Sequence, residues 1–338
     1  MSTPSASSLA AAVEAVVAST GFSGVIRVDR EGSVELDAAF GLADRRHGVP
    51  MTTTTRLGLA SGNKSLTAVT VMGLVGEGVL SLDSRVRDVL GSDLPMVDDR
   101  VTVEHLLAHR SGIGDYVDEE AFPEVTDHVL TVPVHTLTTT EDNLAVLDGR
   151  PQVFEPGAVF AYNNSAFVVL AVVAGRAAGR PFEDLLDERV LRPAGMAATA
   201  FLRSDELPAD AATGYLWADR DRTNVLHLPV VGSGDGGLYS TSADIASFWR
   251  SLEAGTLLPD DVVDDVLAPR STAPDGSRYG LGFWIGARDG LAAMVGSDAG
   301  VSFKSVRDRP RDLTWTVISN TSEGAWPVER AIAAHLAP

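Results

Sequence analysis

Apolar and polar positions alternate near the start of the chain, and apolar residues recur at helical spacing through its middle. Early on, "GFSGVIRVDREGSVELDAAFG" has the two-residue period of paired strands around Asp29–Gly32. Its "DREG" is turn chemistry, so the stretch predicts a β-hairpin. The residues before it, "MSTPSASSLAAAVEAVVAST", read as an amphipathic helix. After "MTTTTRLGLAS" the apolar spacing predicts a helix from about Ser61 to Gly78. Four further helical patterns follow: "TVEHLLAH", "SAFVVLAVVAGRAAG", "PFEDLLDERVL" and "SADIASFWRSLEAG", with Pro/Gly-rich connections between them. The last third returns to strands in "YGLGFWIG", "LAAMVGSD", "VSFKSVRD" and "LTWTVISN", and "AWPVERAIAAHLA" predicts a closing helix.

Strands at both ends with helices between them predict an α+β fold. Residues 1-85 and 269-338 would form an antiparallel sheet built from both chain ends and flanked by helices. Residues 86-268 would form a mostly helical inserted domain. An active site is expected in the cleft between the two parts. No repeat of solenoid period is present.

Composition narrows the function classes. With 338 residues, 45% hydrophobic and 22% charged, the chain can bury an ordinary core without staples. It contains no cysteine, which excludes disulfides, thiolate catalysis and cysteine-based zinc sites. A net charge of -19 argues against nucleic acid as a partner, which would call for a basic face. The N-terminus lacks a basic leader, Glu14 interrupts its apolar residues, and no apolar run is long enough to span a bilayer. The expectation is a cytoplasmic protein without a membrane partner. The sequence carries no signal for oligomeric state.

Within "LASGNKSLTAVTVM", Ser61 and Lys64 lie at i and i+3, on one face at a helix start. A serine hydroxyl is a weak nucleophile until a neighbouring base takes its proton. Lysine, with a pKa of about 10.4 in water, can be that base where burial or nearby positive charge lowers it. The apolar run after Lys64 makes burial of this helix the natural expectation. A second element sits in "FEPGAVFAYNNSAFVVL", where Tyr162 and Asn164 precede another apolar helix. A tyrosine at a loop-to-helix junction can project into a cleft, and an asparagine offers both a donor and an acceptor to a lysine and a substrate.

In this order, and each opening a helix, these two motifs resemble those of the serine β-lactamase and penicillin-binding-protein superfamily. The resemblance is to the branch of class C β-lactamases, family VIII carboxylesterases and D-aminopeptidases, and S-x-x-K is the superfamily's nucleophile motif. It extends through "LSLDSRVRDVL", "VTVEHLLAHRSGIGDY", the segment ending "LRPAGMAAT", and "GDGGLYSTSADIASFWRSL". The resemblance implies a β-lactamase/transpeptidase-like fold and a serine hydrolase needing no cofactor or metal. Ser61 would be acylated by a small-molecule ester or amide. Lys64 and Tyr162 would share the base and acid roles, and Asn164 would orient Lys64 and the substrate. Which of Lys64 and Tyr162 takes the proton stays open. Esterase activity is the foremost expectation. Acyl transfer, D-amino-acid amidase or peptidase activity, β-lactam hydrolysis and a non-catalytic binding module are the alternatives.

The third family motif, a strand reading K-T-G or H-x-G, is altered. The corresponding strand is "MVGSDAGVSFKS", with Ser297 at the Lys/His position, Asp298 at the Thr position and Ala299 at the Gly position. Gly300 would then supply an oxyanion-hole N–H beside that of Ser61. A slip of one residue would put Asp298 at the basic position instead. Either way a cation is missing and a carboxylate has arrived. That disfavours substrates bearing a carboxylate and favours neutral esters, amides or amines.

Other motifs are read as structural. "GSGDGG", Gly232 to Gly237, matches a dinucleotide fingerprint but lacks the strand–helix context and is expected to be a turn flanking the cleft. His105 and His109 have the spacing of a zinc pair without the glutamate or third ligand, and are expected to cap or pack at a helix end. Arg56 is expected to steady the nucleophile helix, and Lys304 to lie on the surface.

Overall fold

The computed structural model describes residues 6–117, 129–288 and 290–337. The first five residues of the predicted N-terminal helix, and the part of the inserted region from 118 to 128, lie outside that set. The predicted hairpin is β1 (Gly24–Arg30) and β2 (Ser33–Phe40). Glu31 and Gly32 join them with φ of 51° and 72°. Two successive left-handed residues give the tight turn whose twist matches that of the strands.

The other strands of this sheet come from the C-terminal third. They are β3 (Ser271–Thr272), β4 (Arg278–Tyr279), β5 (Trp284–Ile285), β6 (Leu291–Asp298), β7 (Val301–Asp308) and β8 (Leu313–Ser319). The order is β2-β1-β8-β7-β6-β5-β4-β3, and every neighbouring pair is antiparallel. Val25 pairs with Ile318, so the two chain ends meet within the sheet, one strand in from its β2 edge. "YGLGFWIG" is not one strand. It folds back on itself, with Gly280 N–H donating to Phe283 O at 2.9 Å and Gly282 at φ 85°. Its apolar composition conceals that turn.

Both faces of the sheet are covered. Helices α1 (Ala6–Thr20) and α5 (Ala325–Leu336) pack together on one side. There Leu9, Val13, Val328 and Ile332 meet Ile26, Val28, Trp315 and Val317 in one apolar cluster. On the other side lie α2 (Asn63–Gly76) and α4 (Ser242–Glu253), the latter packed on β1 and β8. Val25, Phe303 and Ile318 face this second, larger cluster. Burying each such side chain stabilises the fold by roughly 1.5–3 kcal/mol. Next to α2 packs α3 (Asn164–Ala178), the second of the two apolar helices whose starts carry the sequence motifs.

A small three-stranded sheet links the distant parts at the cleft. Leu57–Gly58 pairs with Leu238–Ser240, which pairs with Ala200–Phe201. Among the described residues no single helix is long and apolar enough to cross a membrane.

Candidate active site

Ser61 lies in a single helical turn, Ala60–Gly62, between the short strand at Leu57–Gly58 and α2. Ala60 has φ 45°, a left-handed conformation costly for a residue with a side chain. It forces the sharp reversal that turns the chain into α2. Strand β6 supports this turn at very close range. A methyl group at Gly296 would stand 2.0 Å from Leu59 O, so only glycine permits the approach.

Helix α2 is buried nearly all round, and Lys64 with it, at 1% exposure. An unsolvated amine demands full hydrogen bonding. Lys64 Nζ donates to Ser61 Oγ at 2.8 Å, to Asn164 Oδ1 at 2.8 Å and to Asp235 O at 2.9 Å. The Tyr162 ring centroid lies 5.1 Å from the same nitrogen. Tyr162 stacks on Trp284, with centroids 6.0 Å apart, and lies against the His109 ring at 4.3 Å. Ser61, Lys64, Tyr162 and Asn164, singled out from the sequence, therefore meet in one place.

Neighbouring residues divide the work at the start of α3. Asn163 is the cap, its side chain accepting from Ala166 N–H at 2.7 Å. Asn164 is thereby left to face Lys64. Asp115 adds a carboxylate at the same helix end, accepting from Asn164 N–H at 2.8 Å and Ser165 N–H at 3.0 Å. A negative charge there also meets the positive end of the helix dipole.

The glycine-rich turn is closer to the chemistry than its sequence suggests. Three successive carbonyls, of Ser233, Gly234 and Asp235, accept from Asn63, Thr67 and Lys64 on α2. At the middle of the three only glycine fits, because a methyl group at Gly234 would stand 2.4 Å from Phe167 O. The Asp235 side chain accepts from the Tyr116 hydroxyl at 2.5 Å. Burial raises the Asp235 pKa, with Lys64 and the Tyr116 hydroxyl pulling the other way. Burial, and then Asp235, hold the Tyr116 phenol well above its ordinary range, so it stays a donor.

Among the described residues, neither histidine belongs to a group of three or more His, Asp or Glu side chains that could hold a metal ion. His105 completes a capping box with Thr102 at Val103–Leu107. His109 is fully buried, and its Nδ1 accepts from Asn163 N–H at 3.1 Å. Burial, and then Lys64, lower its pKa well below the ordinary value, which keeps the ring neutral. Arg56 pairs with Asp210 at 2.5 Å, holding the approach to the nucleophile strand rather than the helix itself. Lys304 pairs with the buried Glu329 of α5 at 3.0 Å, which fixes it under that helix.

At the third motif Ser297 is exposed at the end of β6, and Ser297 and Asp298 both line the cleft. Asp298 Oδ1 accepts from Ala299 N–H at 2.8 Å. The oxyanion role expected of Gly300 requires correction. Asp298 pairs with Val301, so Ala299 and Gly300 form the turn between β6 and β7. There the Gly300 N–H is spent on Ser322 Oγ at 2.9 Å.

The cleft holds about 340 Å³ and is bordered by Ser61, Asn164, Asp235 and Asp298. No lysine or arginine lines it among the described residues. Asp115, Tyr116 and Asp235 were not found from the sequence. Each matters through a partner distant in the chain, and no local spacing marks that.

A helix-covered antiparallel sheet, with a buried lysine bonded to the serine one turn before it, defines a class. The chain belongs to the Beta-lactamase family, whose profile matches residues 9–337, and has the β-lactamase/transpeptidase-like fold. Among solved structures, the penicillin binding protein from Bacillus halodurans superposes with a TM-score of 0.89 at 33% identity. That match covers 95% of this chain and 99% of the other. The chain is 35% identical to esterase EstB of Burkholderia gladioli over 79% of its own length and 75% of that of EstB. It is 33% identical to a D-aminopeptidase of Brucella anthropi over 57% of its length, spanning only 35% of that protein.

Proposed function

We propose that the protein is a serine hydrolase that cleaves small-molecule esters through an acyl-serine at Ser61. The observation that carries this reading is the hydrogen bond between Lys64 Nζ and Ser61 Oγ, held in place by Asn164 and Asp235. A neutral amine has two N–H groups and one lone pair. With the N–H groups directed at Asn164 Oδ1 and Asp235 O, the lone pair faces the Ser61 hydroxyl. Ser61 Oγ then bonds to the substrate carbonyl carbon as its proton moves to Nζ, and that proton later leaves with the alcohol. Tyr162 lies beside the same nitrogen and shares the proton relay. The Ser61 N–H is one donor to the developing oxyanion.

Esters are favoured over β-lactams because Asp235 and Asp298 border a cleft whose lining has no lysine or arginine among the described residues. A substrate carboxylate there would meet like charge. The likeness to EstB supports the same choice. A second reading, an amidase acting on amine-bearing substrates, draws on the same two carboxylates and on the likeness to a D-aminopeptidase.

The test is mass spectrometry of wild type and Ser61→Ala after incubation with p-nitrophenyl esters and a cephalosporin. Nitrophenol release with an acyl adduct that requires Ser61, from esters alone, is the expected result. An adduct from the cephalosporin would move the protein to the penicillin-recognising side. With neither acylation nor turnover, a binding module replaces the hydrolase.

A further inference from the structure

Of the three partners of Lys64 Nζ, one differs in kind. Asp235 O is a backbone carbonyl and can only accept. Asn164 meets Nζ with a side-chain amide, which offers an acceptor or a donor according to which way it is turned.

A neutral lysine amine is satisfied by either orientation. With Asn164 Oδ1 toward Nζ, the two N–H groups go to Asn164 and Asp235, and the lone pair faces Ser61. With the amide reversed, Asn164 Nδ2 would donate into the lone pair, and Nζ would spend its N–H groups on Asp235 O and Ser61 Oγ. The hydrogen bonds are equal in number. In the second arrangement, however, the base has nothing left for the serine proton. Lys64 by itself does not choose between the two.

Asp115 does. Its Oδ2 accepts from Asn164 N–H at 2.8 Å and from Asn164 Nδ2 at 3.3 Å. Its Oδ1 accepts from Ser165 N–H at 3.0 Å and from Ser165 Oγ at 3.2 Å. A carboxylate only accepts, so an Asn164 oxygen turned toward it would exchange a hydrogen bond for repulsion between oxygens. The carboxylate is itself held in place. Arg150 Nη1 donates to Asp115 O at 2.8 Å, and Tyr116 N–H donates to Ser165 Oγ at 3.0 Å. Helix capping does not account for the arrangement, because α3 already has Asn163 as its cap and Asn164 Nδ2 is not a backbone donor.

We propose that Asp115 is a positioning residue for the reaction at Ser61: it holds the Asn164 amide with its oxygen toward Lys64 and so keeps the Lys64 lone pair on the nucleophile. This rests on the reading of Lys64 as the base for Ser61.

The experiment is a double-mutant cycle of Asp115→Ala and Asn164→Ala, with kcat and KM measured on p-nitrophenyl acetate. Asp115→Ala alone is expected to lower kcat about 10–100-fold, the worth of a hydrogen bond to a charged group, with KM little changed. In the Asn164→Ala background there is no amide to turn, and the same substitution should lower kcat by less than about twofold. A merely structural Asp115 would cost the same factor in both backgrounds, and that result overturns the proposal. Unchanged kcat in Asp115→Ala overturns it as well. Circular dichroism checks folding. If Asp115→Ala does not fold, Asp115→Asn keeps the shape and one acceptor oxygen, and the same cycle decides.

If wild type turns over no ester, the hydrolase reading falls, and the hold on the amide is read apart from it by hydrogen exchange in NMR. The Asn164 side-chain N–H signals are assigned by their loss in Asn164→Ala. Faster exchange of these hydrogens in Asp115→Ala than in wild type upholds the hold on the amide. Equal exchange overturns it.

Discussion

Lys64 and Asn164 stand one hundred positions apart in the chain, and Lys64 Nζ donates to the Asn164 amide oxygen at 2.8 Å. The bond joins the first turn of α2 to the first residue of α3, so the geometry at Ser61 depends on how two helices pack. Asn164→Ala would leave the buried Lys64 Nζ short of one acceptor. Unfolding in urea is expected to show a loss of roughly 1.5–3 kcal/mol. Lys64→Met removes the proposed base, and ester turnover is expected to fall about 10²–10⁴-fold. Steady-state rates on a p-nitrophenyl ester check this, and near-normal turnover in Lys64→Met would refute the role.

His109 makes stability depend on pH. The unfolded chain takes up a proton near the ordinary value of 6.5, whereas burial and Lys64 keep the native ring neutral far below it. Stability from this residue is full above that value and declines as the pH falls toward the lowered native pKa. The limiting slope is about 1.4 kcal/mol per pH unit. Urea midpoints collected from about pH 7 down to about pH 5 should fall for wild type and stay flatter for His109→Asn. Parallel curves would show that the ring takes up its proton without resistance.

Gly296→Ala would drive a methyl group into Leu59 O. The strand and the nucleophile turn must then separate, at a cost of about 3 kcal/mol. Thermal unfolding is expected to show the loss, and Ser61 should label more slowly with a fluorophosphonate. Unimpaired labelling would mean that the turn tolerates the displacement.

Ser322→Ala tests the corrected place of Gly300. The hydroxyl accepts from Gly300 N–H and donates to Leu216 O. Its removal leaves two buried backbone groups unpaired and is expected to cost about 1–3 kcal/mol. A large rise in kcat instead would mean that the freed Gly300 N–H had joined the oxyanion hole.

The sequence by itself determined the layer plan and half of the site. Period-two alternation marks β1 and β2 because one residue step swaps sheet faces, and the apolar runs mark α2 and α3 because both are buried. Ser61, Lys64, Tyr162 and Asn164 were legible because each motif opens a helix, so their spacing along the chain is also spacing in space. Only the tertiary structure decided what surrounds them. The carbonyl of Asp235 reaches Lys64 across 171 residues, and the Tyr116 hydroxyl reaches the Asp235 side chain across 119. The Gly300 N–H went to Ser322 rather than to the cleft because the β6–β7 connection turns at Ala299, two residues after Ser297. Local pattern reports which face of its own element a side chain takes. It does not report which carbonyl or hydroxyl from another part of the chain will be waiting there.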